Sequence, residues 1–339
     1  MPFTFGRNLK FGLNIESAYN TYVAPAASDG IAILEGGFTP ARVWMEVMTA
    51  QSLPEKKITD LVAGPTNYVA RIRCKLPKEG FGQLLKNVYG TVADTAVSAP
   101  FGGTRHTFSA SNTTPTSISL LISDDIQAYQ LSGAAVKTLR LVGEIGQPVV
   151  AEIDFVGGSW VQAASGVGSM TVPTTVSTIN PYWHTNAITT INAVGTAWTP
   201  SRWELVVECA YADGLAESYE ISTTTAASNA RKQLERAGDF PITYILTAER
   251  LLQATTQFIA FTAGTQGATS VELKETGSTT DTSTGTNDYY AKINMATSVI
   301  KEYTQDKATD IIKETLVIEG YQNVSTDNNF ILKDKNSVG

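Results

Sequence analysis

Two histidines are the first residues to consider for acid–base or nucleophilic chemistry. His106 opens the stretch "RHTFSAS", and His184 lies within "PYWHTN". A catalytic triad needs a histidine beside a nucleophile and a carboxylate. The Gly-x-Ser-x-Gly turn that presents a serine in many hydrolases does not occur in the sequence. We therefore expect both histidines to pack or to form hydrogen bonds at strand ends.

The stretch "GVGSMT" at 166–171 is the nearest match to a glycine-rich phosphate-binding loop. It supplies Gly166 and Gly168, but Thr171 stands where the third glycine should be. The strand before and the helix after such a loop, which a dinucleotide-binding unit requires, are not indicated here. We expect no nucleotide and no other cofactor.

Charged residues share one face on two predicted strands. Glu152 and Asp154 could bind a cation or act as an acid–base pair, and a solvated or channel-lining face is the alternative. Arg71, Arg73 and Lys75 could contact phosphate, or could pair with acidic residues on a neighbouring strand. Neither set identifies an active site, so the sequence predicts no catalytic residue and no metal ligand.

The composition favours a folded, β-rich and weakly acidic protein. Of the 339 residues, 42% are hydrophobic and 17% are charged, whereas charged residues make up about 25% of an average protein. The net charge is −7 and the isoelectric point is about 5.0. A sequence-specific DNA-binding protein usually has a basic face, so the bulk charge argues against that function. The acidic surplus arises in residues 161–339.

Cysteine content and hydropathy favour an intracellular site of synthesis. Cys74 and Cys209 have no partner at the spacing of a zinc site or a disulfide framework, so we expect reduced, structural thiols. The start "MPFTFGRNLK" lacks a signal-peptide pattern. No run reaches the about 18 apolar residues of a membrane helix. We expect a protein made and kept in a cytoplasm.

Matching segments indicate that the sequence contains an internal duplication. The first pair is "FTPARVWMEV" (38–47) and "WTPSRWELVV" (198–207), whose alternation indicates one buried strand face. In the second copy, this alternation places Trp203, Leu205 and Val207 in the core.

Two further pairs follow in the same order. Residues 64–90 and 238–264 each read as a strand, a helix and a final glycine, which is predicted to end the helix in a left-handed conformation. The strand at 149–158 matches 313–320 when Gly157 is aligned with Gly320. Three pairs in one order favour a tandem repeat over chance similarity of two strands.

The predicted fold class is mainly β. We expect tandem, duplicated antiparallel β-sandwich or half-barrel units, each with one packed α-helix. The predicted organisation is a first unit with an N-terminal arm at 1–160, a linker and strand region at 161–197, a second unit at 198–325 and a C-terminal tail at 326–339. Long connections at 49–64 and 209–238 are typical of functional loops or of disordered segments.

The ordered segments "GFGQLLKNVYG", "RHTFSAS", "TSISLLISDD" and "AYQLSGAAVKTLRLVGEIGQPVVAEIDFVGG" resemble the tail tube proteins of long-tailed bacteriophages, most of all those with non-contractile tails. The resemblance covers about residues 10–160, and it reaches 161–325 only through the repeat. It implies subunits whose sheets join edge to edge into rings, and rings that stack into a tube. Genomic DNA would pass through the lumen without specific binding.

The resemblance also implies partners and a location. The chain would bind other copies of itself, and the tube would meet tape-measure, tail-terminator and tail-tip proteins. We expect assembly in the host cytoplasm, a final place in the virion tail and no membrane contact. Because rings in this family commonly contain six units, a duplicated chain would form a trimeric ring with pseudo-sixfold symmetry.

The resemblance assigns residues to two roles. The loop between paired strands would dock on the adjacent ring; it contains Ser52, Leu53, Pro54, Glu55, Lys56 and Lys57 in the first unit and Tyr211, Asp213, Glu217 and Tyr219 in the second. Glu152, Asp154 and Glu319 are candidates for an acidic lumen that repels phosphate. The alternatives are the inner tube of a contractile tail and a bacterial surface protein built from β-repeats.

Overall fold

The structure is a computed structural model that describes residues 10–26, 30–48, 58–78, 80–96, 104–111, 115–123, 128–162, 181–184, 187–190, 200–211, 236, 242–252, 256–274, 289–307, 312–321 and 328–333. Its first unit contains β1 (Lys10–Ile15), β2 (Gly30–Met48), β3 (Ile58–Lys75), α1 (Gly82–Tyr89), β4 (Gly90–Ala96), β5 (Thr104–Ala110), β6 (Ile118–Ser123), β7 (Ala128–Glu144), β8 (Val150–Gly157) and β9 (Ser159–Gln162). Its second unit contains β10 (Ala187–Thr190), β11 (Arg202–Cys209), β12 (Ile242–Leu251), α2 (Thr256–Thr262), β13 (Gln266–Lys274), β14 (Tyr290–Asp306), β15 (Lys313–Tyr321) and β16 (Asn329–Lys333).

A closed six-stranded antiparallel barrel forms the centre of the first unit. Its strands follow the order β1-β2-β3-β8-β7-β6, and β6 pairs with β1 to close it. Alternation along β3 turns Ala70, Ile72 and Cys74 into the barrel, where all three are buried. The rings of Phe11 and Phe155 meet inside it with centroids 6.0 Å apart. The prediction of a mainly-β fold is confirmed.

The sheet continues from the barrel into the second unit. The first half of β7 pairs with β6, whereas its second half pairs with β11 along the same edge. From β11 the sheet runs through β12, β15 and β14 to β16, β5 and β4. Both units therefore belong to one sheet, and their buried side chains form one continuous hydrophobic core.

The strand pairings of the first unit recur in the second. The pairs β2–β3, β3–β8, β8–β7, β7–β6, β6–β1 and β7–β9 correspond in chain order to β11–β12, β12–β15, β15–β14, β14–β13, β13–β10 and β14–β16. The hairpin β4–β5 lies between α1 and β6, while α2 leads to β13 without such an insertion. The repeated topology supports the duplication read from the sequence.

Pairing registers match between the units to the residue. Tyr68 of β3 lies opposite Gly157 of β8, and Tyr244 of β12 lies opposite Gly320 of β15. The adjacent pairs β7–β8 and β14–β15 each contain a β-bulge at the same distance from these glycines. The extra residue is a lysine in both, Lys137 and Lys301.

The register corrects one part of the sequence alignment. Arg42 lies opposite Thr66, whereas Arg202 lies opposite Glu249 near the start of its strand. Val207 lies opposite Tyr244, and Pro40 lies opposite Tyr68, so Val207 is equivalent to Pro40 when the two tyrosines are aligned. The similarity of "FTPAR" to "WTPSR" is therefore not a structural equivalence, because "FTPAR" lies inside β2 whereas "WTPSR" ends at the first residue of β11.

Side-chain burial agrees with the predicted strand phase of the second unit. Trp203, Leu205 and Val207 are all fully buried. Both helices end as predicted, because Gly90 and Gly264 have φ angles of 94° and 63°, in the left-handed region that favours glycine.

The helix faces differ in their surroundings. Leu84 and Leu85 of α1 are fully buried, but Phe258 and Ile259, which the sequence aligns with them, are 46% and 60% exposed. α1 contacts β1, β4, β5, β7 and β16, whereas α2 contacts β14. Equal sequence pattern has thus produced unequal burial, because the two helices have different neighbours.

Regular structure occurs in the segment that we expected to be a linker and strand region, and also in the predicted C-terminal tail. Strand β10 lies within 161–197, and strand β16 lies within 326–339. β9 continues the first unit to Gln162.

We predict that the paired glycines tolerate a side chain unequally. A Cβ on Gly157 would stand 2.6 Å from Leu131 Cδ1, and a Cβ on Gly320 would stand 2.8 Å from Met295 Sδ. Gly157→Ala should lower the free energy of unfolding by about 1–3 kcal/mol because leucine is branched and confined. Gly320→Ala should cost less because methionine is flexible.

Denaturant unfolding measures both effects. Gly37→Ala is the matched control, since a Cβ there would meet no atom within 4 Å. Equal losses for all three variants would contradict the packing argument.

Candidate functional site

The histidines occupy structural positions. His106 of β5 lies directly opposite Asp94 of β4, and its Nδ1 is 2.7 Å from Asp94 Oδ1. His184 is 2% exposed, and burial lowers the pKa of its imidazole. Its backbone N–H donates to Gln147 O. These contacts agree with the expected role in packing and hydrogen bonding.

The cysteines are buried free thiols. Burial raises the pKa of Cys74 to about 12 and that of Cys209 to about 11, so both remain protonated and poorly nucleophilic at neutral pH. Within the described ranges, no three His, Cys, Asp or Glu side chains are grouped to hold a metal ion. Neither helix of the described chain has the length and hydropathy to cross a bilayer.

One buried carboxylate has a full set of hydrogen bonds. Glu16 is 2% exposed and accepts from the hydroxyls of Ser117 and Ser119, at 2.6 and 2.7 Å. It also accepts from the backbone N–H groups of Gly133 and Asn20, at 2.8 and 2.9 Å. Four donors satisfy a buried carboxylate, so Glu16 fastens the segment after β1 to β6 and β7.

A row of alternating charges crosses five strands on the solvent face of the sheet. We call it the charge ladder; in spatial order it contains Glu35 of β2, Arg73 of β3, Glu152 of β8, Arg140 of β7 and Glu204 of β11. It crosses from the first unit into the second.

Arg140 connects the two units through this row. Its Nε and Nη2 donate to the two oxygens of Glu204, at 2.7 and 2.9 Å, and its Nη1 donates to Glu152 at 2.6 Å. Such a bidentate pair is stronger and more directional than a single contact. The hydrogen bond from Arg140 lowers the pKa of Glu204, and the two carboxylates raise the pKa of Arg140.

The lumen candidates from the sequence all lie on this face, and all have cationic neighbours. Glu152 is 3.3 Å from Arg73 Nε as well as bonded to Arg140, and Asp154 is 3.3 Å from Arg71 Nε. These contacts are the pairing across strands that we considered for the basic face of β3.

Glu319 lies on the same face of the second unit. Its carboxylate is 3.2 Å from Lys301 Nζ and accepts from the hydroxyl of Tyr321 at 3.0 Å.

The predicted docking residues are mostly outside the described part of the chain. This holds for Ser52, Leu53, Pro54, Glu55, Lys56, Lys57, Asp213, Glu217 and Tyr219. Tyr211 is described, and its hydroxyl donates to Val136 O at 3.0 Å, within the chain. β3 begins at Ile58, so the connection after β2 is shorter than the predicted loop.

The sequence did not identify the junction between the units, which the structure places at β7 and β11. Residues 138–144 of β7 pair with 202–208 of β11. The ring of Trp203 fills the space beside Gly143, where a Cβ would stand 2.4 Å from its Nε1. Arg236 adds a polar contact: its guanidinium donates to Val88 O and Ser111 O, both at 2.5 Å, at the end of α1.

In this sheet, part of one edge of β14 and part of one edge of β2 remain open. Among the described strands, β14 pairs only with β15 over residues 300–306, and β2 pairs only with β3 beyond Ile33. Open edges invite pairing with another chain. They form the second candidate surface besides the charge ladder.

No protein-family model matches the sequence, and no curated protein matches it significantly.

We predict that two arginines on the same face contribute very differently to stability. Arg140→Met leaves Glu152 and Glu204 without their shared donor, and should lower the free energy of unfolding by about 2 kcal/mol. Arg71→Met is the control, because the Arg71 side chain is 68% exposed and pairs at 3.3 Å; it should cost less than about 1 kcal/mol. Equal costs in urea unfolding would contradict the bidentate assignment.

We also predict an acid-dependent loss of stability through Glu204. Its pKa is lower in the folded protein than the ordinary value of 4.5, so protonation favours the unfolded chain. The stabilisation is complete above the unfolded pKa and declines as the pH falls through the folded pKa. Glu204→Gln should flatten the pH dependence of unfolding below pH 4.5, measured at constant ionic strength. Glu208→Gln, at an exposed position of the same strand, should leave it unchanged.

Proposed function

We propose that this protein is a structural subunit that joins head to tail into closed rings, which stack as the tail tube of a long-tailed bacteriophage. One observation carries the proposal: β14 and β2, the counterparts of the paired strands β7 and β11, each have an open edge among the described strands. The resemblance to tail tube proteins supplies the biological setting.

The internal junction defines how a second chain would bind. β14 is the counterpart of β7, and β2 is the counterpart of β11. Since β7 uses its second half to receive β11, the open edge at 300–306 would receive β2 of the next chain. Both edges would then be paired, which removes the exposed hydrogen-bonding groups of each.

The matching registers give the expected alignment of the two chains. Arg140 lies opposite Val206 in the internal junction. The equivalent positions are Thr304 of β14 and Thr39 of β2. Thr304 of one chain would therefore lie opposite Thr39 of the next.

The edge of β2 is suited to a neighbour. A depression on the solvent face beside this edge is lined by Glu35, Gly36 and Gly37 of β2, Arg71 and Arg73 of β3, and Glu152 of β8, and its glycines present no side chains. Pro40 lies in the same strand, and it donates no backbone hydrogen bond to any strand that pairs with β2.

The number of strands gives a pore wide enough for a nucleic-acid duplex. Eight strands, β2-β3-β8-β7-β11-β12-β15-β14, form the path between the two open edges. Three chains would close 24 strands into one barrel with a backbone diameter of about 50 Å, for strands about 4.8 Å apart and tilted by about 40°. Side chains would narrow this bore, yet a nucleic-acid duplex would still fit.

The charge ladder would face the bore. The opposite face of the sheet carries the core, the helices and the outer strands, so only the solvent face can line the inside of such a ring. The arginines there are engaged by carboxylates rather than free to bind phosphate. A lining of this kind lets DNA pass, because binding through released counterions needs unpaired cationic side chains.

We predict that cysteines at Thr304 and Thr39 will link neighbouring chains. Cα atoms of opposed residues lie about 4.5–5.5 Å apart, within reach of a disulfide. Oxidised Thr39→Cys/Thr304→Cys protein should run as a covalent trimer on a non-reducing gel. Native Cys74 and Cys209 are buried and should not interfere.

The control variant is Thr39→Cys/Thr247→Cys, since Thr247 lies on the same face two strands from the β14 edge. A linked monomer, or equal linking in both variants, would contradict the proposed pairing.

Negative-stain electron microscopy tests the assembly itself. Hollow tubes whose end-on views show three bilobed subunits are expected. Rings with six complete chains would agree with the tube function but contradict the trimeric ring. Discrete particles that never form rings would overturn the proposed function.

A further inference from the structure

An exposed apolar surface lies at the far end of the second unit. We call it the α2 patch; it contains Phe258, Ile259 and Ile312, which are 46%, 60% and 37% exposed. These are three of the nine large hydrophobic side chains that are exposed in the described chain. Exposed apolar side chains of this size are candidates for cover by another group of atoms.

The first unit shows what covers the equivalent place. Leu76 N donates to Val149 O at 2.8 Å, and Leu252 N donates to Ile312 O at 2.9 Å, so the two sites have the same backbone geometry. In the first unit this site is closed by Tyr182. Its N–H donates to Leu76 O at 3.2 Å, and its carbonyl accepts from Val149 N at 2.8 Å.

The covering segment buries the first site. Tyr182 is 1% exposed and Val149 is fully buried, while its counterpart Ile312 is 37% exposed. Trp183 adds a bridge to Pro148. Within the described residues, no backbone group makes the corresponding hydrogen bonds to Leu252 O and Ile312 N.

The covering segment precedes β10, and the equivalent segment of the first unit precedes β1. Strand registers make Ile188 of β10 equivalent to Lys10 of β1. Tyr182 lies six residues before Ile188, and Thr4 lies six residues before Lys10. The stretch "PFTF" (2–5) also resembles "PYWH" (181–184), with its proline and aromatic residues displaced by one position.

We propose that residues 2–5 of a second copy of this chain bind across Leu252 and Ile312 and cover the α2 patch. The inference rests on the proposed head-to-tail ring, because the copy that supplies β2 to the open edge of β14 also supplies this arm. The arm adds the backbone contacts that Tyr182 makes in the first unit, and it buries Phe3 or Phe5 against Phe258 and Ile259. Each chain-to-chain contact would thus combine a paired strand edge with an aromatic arm.

Mixed cross-linking tests which chain supplies the arm. Thr4→Cys protein is mixed with a size-tagged Ile312→Cys protein and oxidised, and a mixed dimer is expected. Thr4→Cys mixed with Ile145→Cys is the control, because Ile145 is as exposed as Ile259, at 60%, but lies in the turn after β7. A doubly substituted chain that links within the monomer would overturn the assignment to a second copy.

A surface substitution tests the patch. Ile259→Asp should reduce the Thr4–Ile312 link by about tenfold, which corresponds to about 1.4 kcal/mol, without changing the thermal unfolding midpoint. Ile145→Asp should leave the link unchanged. An unaltered yield with Ile259→Asp would overturn the role of the α2 patch.

The Thr39–Thr304 link separates this inference from the proposed function. If that link forms while Thr4 and Ile312 do not link, the proposed binding of residues 2–5 is wrong and the proposed ring is still supported. If neither link forms and no rings are seen, both are wrong.

Discussion

The double use of β7 is the constraint on which the rest of the structure depends. A strand that closes a barrel has both edges occupied, but β7 is long enough to extend past β6 and expose half of one edge. β11 fills that half, and Trp203 packs into the space that Gly143 leaves. One strand thereby joins two units into a single sheet and a single core. In the equivalent strand β14, residues 300–306 pair with β15 alone among the described strands, so this half of the edge is open.

The end of each unit is adapted to what covers it. Around the end of β7, the inward side chains Cys74, Leu139, Leu141 and Ala151 are apolar. Their counterparts in the second unit are Arg250, Tyr303, Gln305 and Glu314, which form a hydrogen-bonded cluster around a buried ion pair. The satisfied polar cluster keeps these four inward positions from exposing apolar side chains, at some cost in stability. The exposed apolar side chains of this end lie instead on α2 and at Ile312.

The charges on the solvent face of the sheet alternate in sign, unlike the net charge of the chain, which is acidic. The chain carries a surplus of acidic residues, yet the charge ladder alternates in sign and each member is held by its neighbours. Alternation stabilises the sheet across strands and leaves little free charge to attract or repel a polyelectrolyte. The pairing, rather than the surplus of acid, is what would make such a surface indifferent to DNA. The sequence showed the carboxylates of Glu152 and Asp154 but could not show which arginines they face.

The sequence by itself determined the local features, because these depend on neighbours along the chain. Period-two alternation located Trp203, Leu205 and Val207 in the core, and the glycines at the ends of both helices followed from backbone sterics. It also indicated a repeat from three short anchors. Only the tertiary structure decided the strand registers, which moved Arg202 away from equivalence with Arg42, since register depends on pairing between distant segments. It also decided the exposure of Phe258 and Ile259: a helix pattern specifies an apolar face, but the surrounding elements decide whether that face is covered.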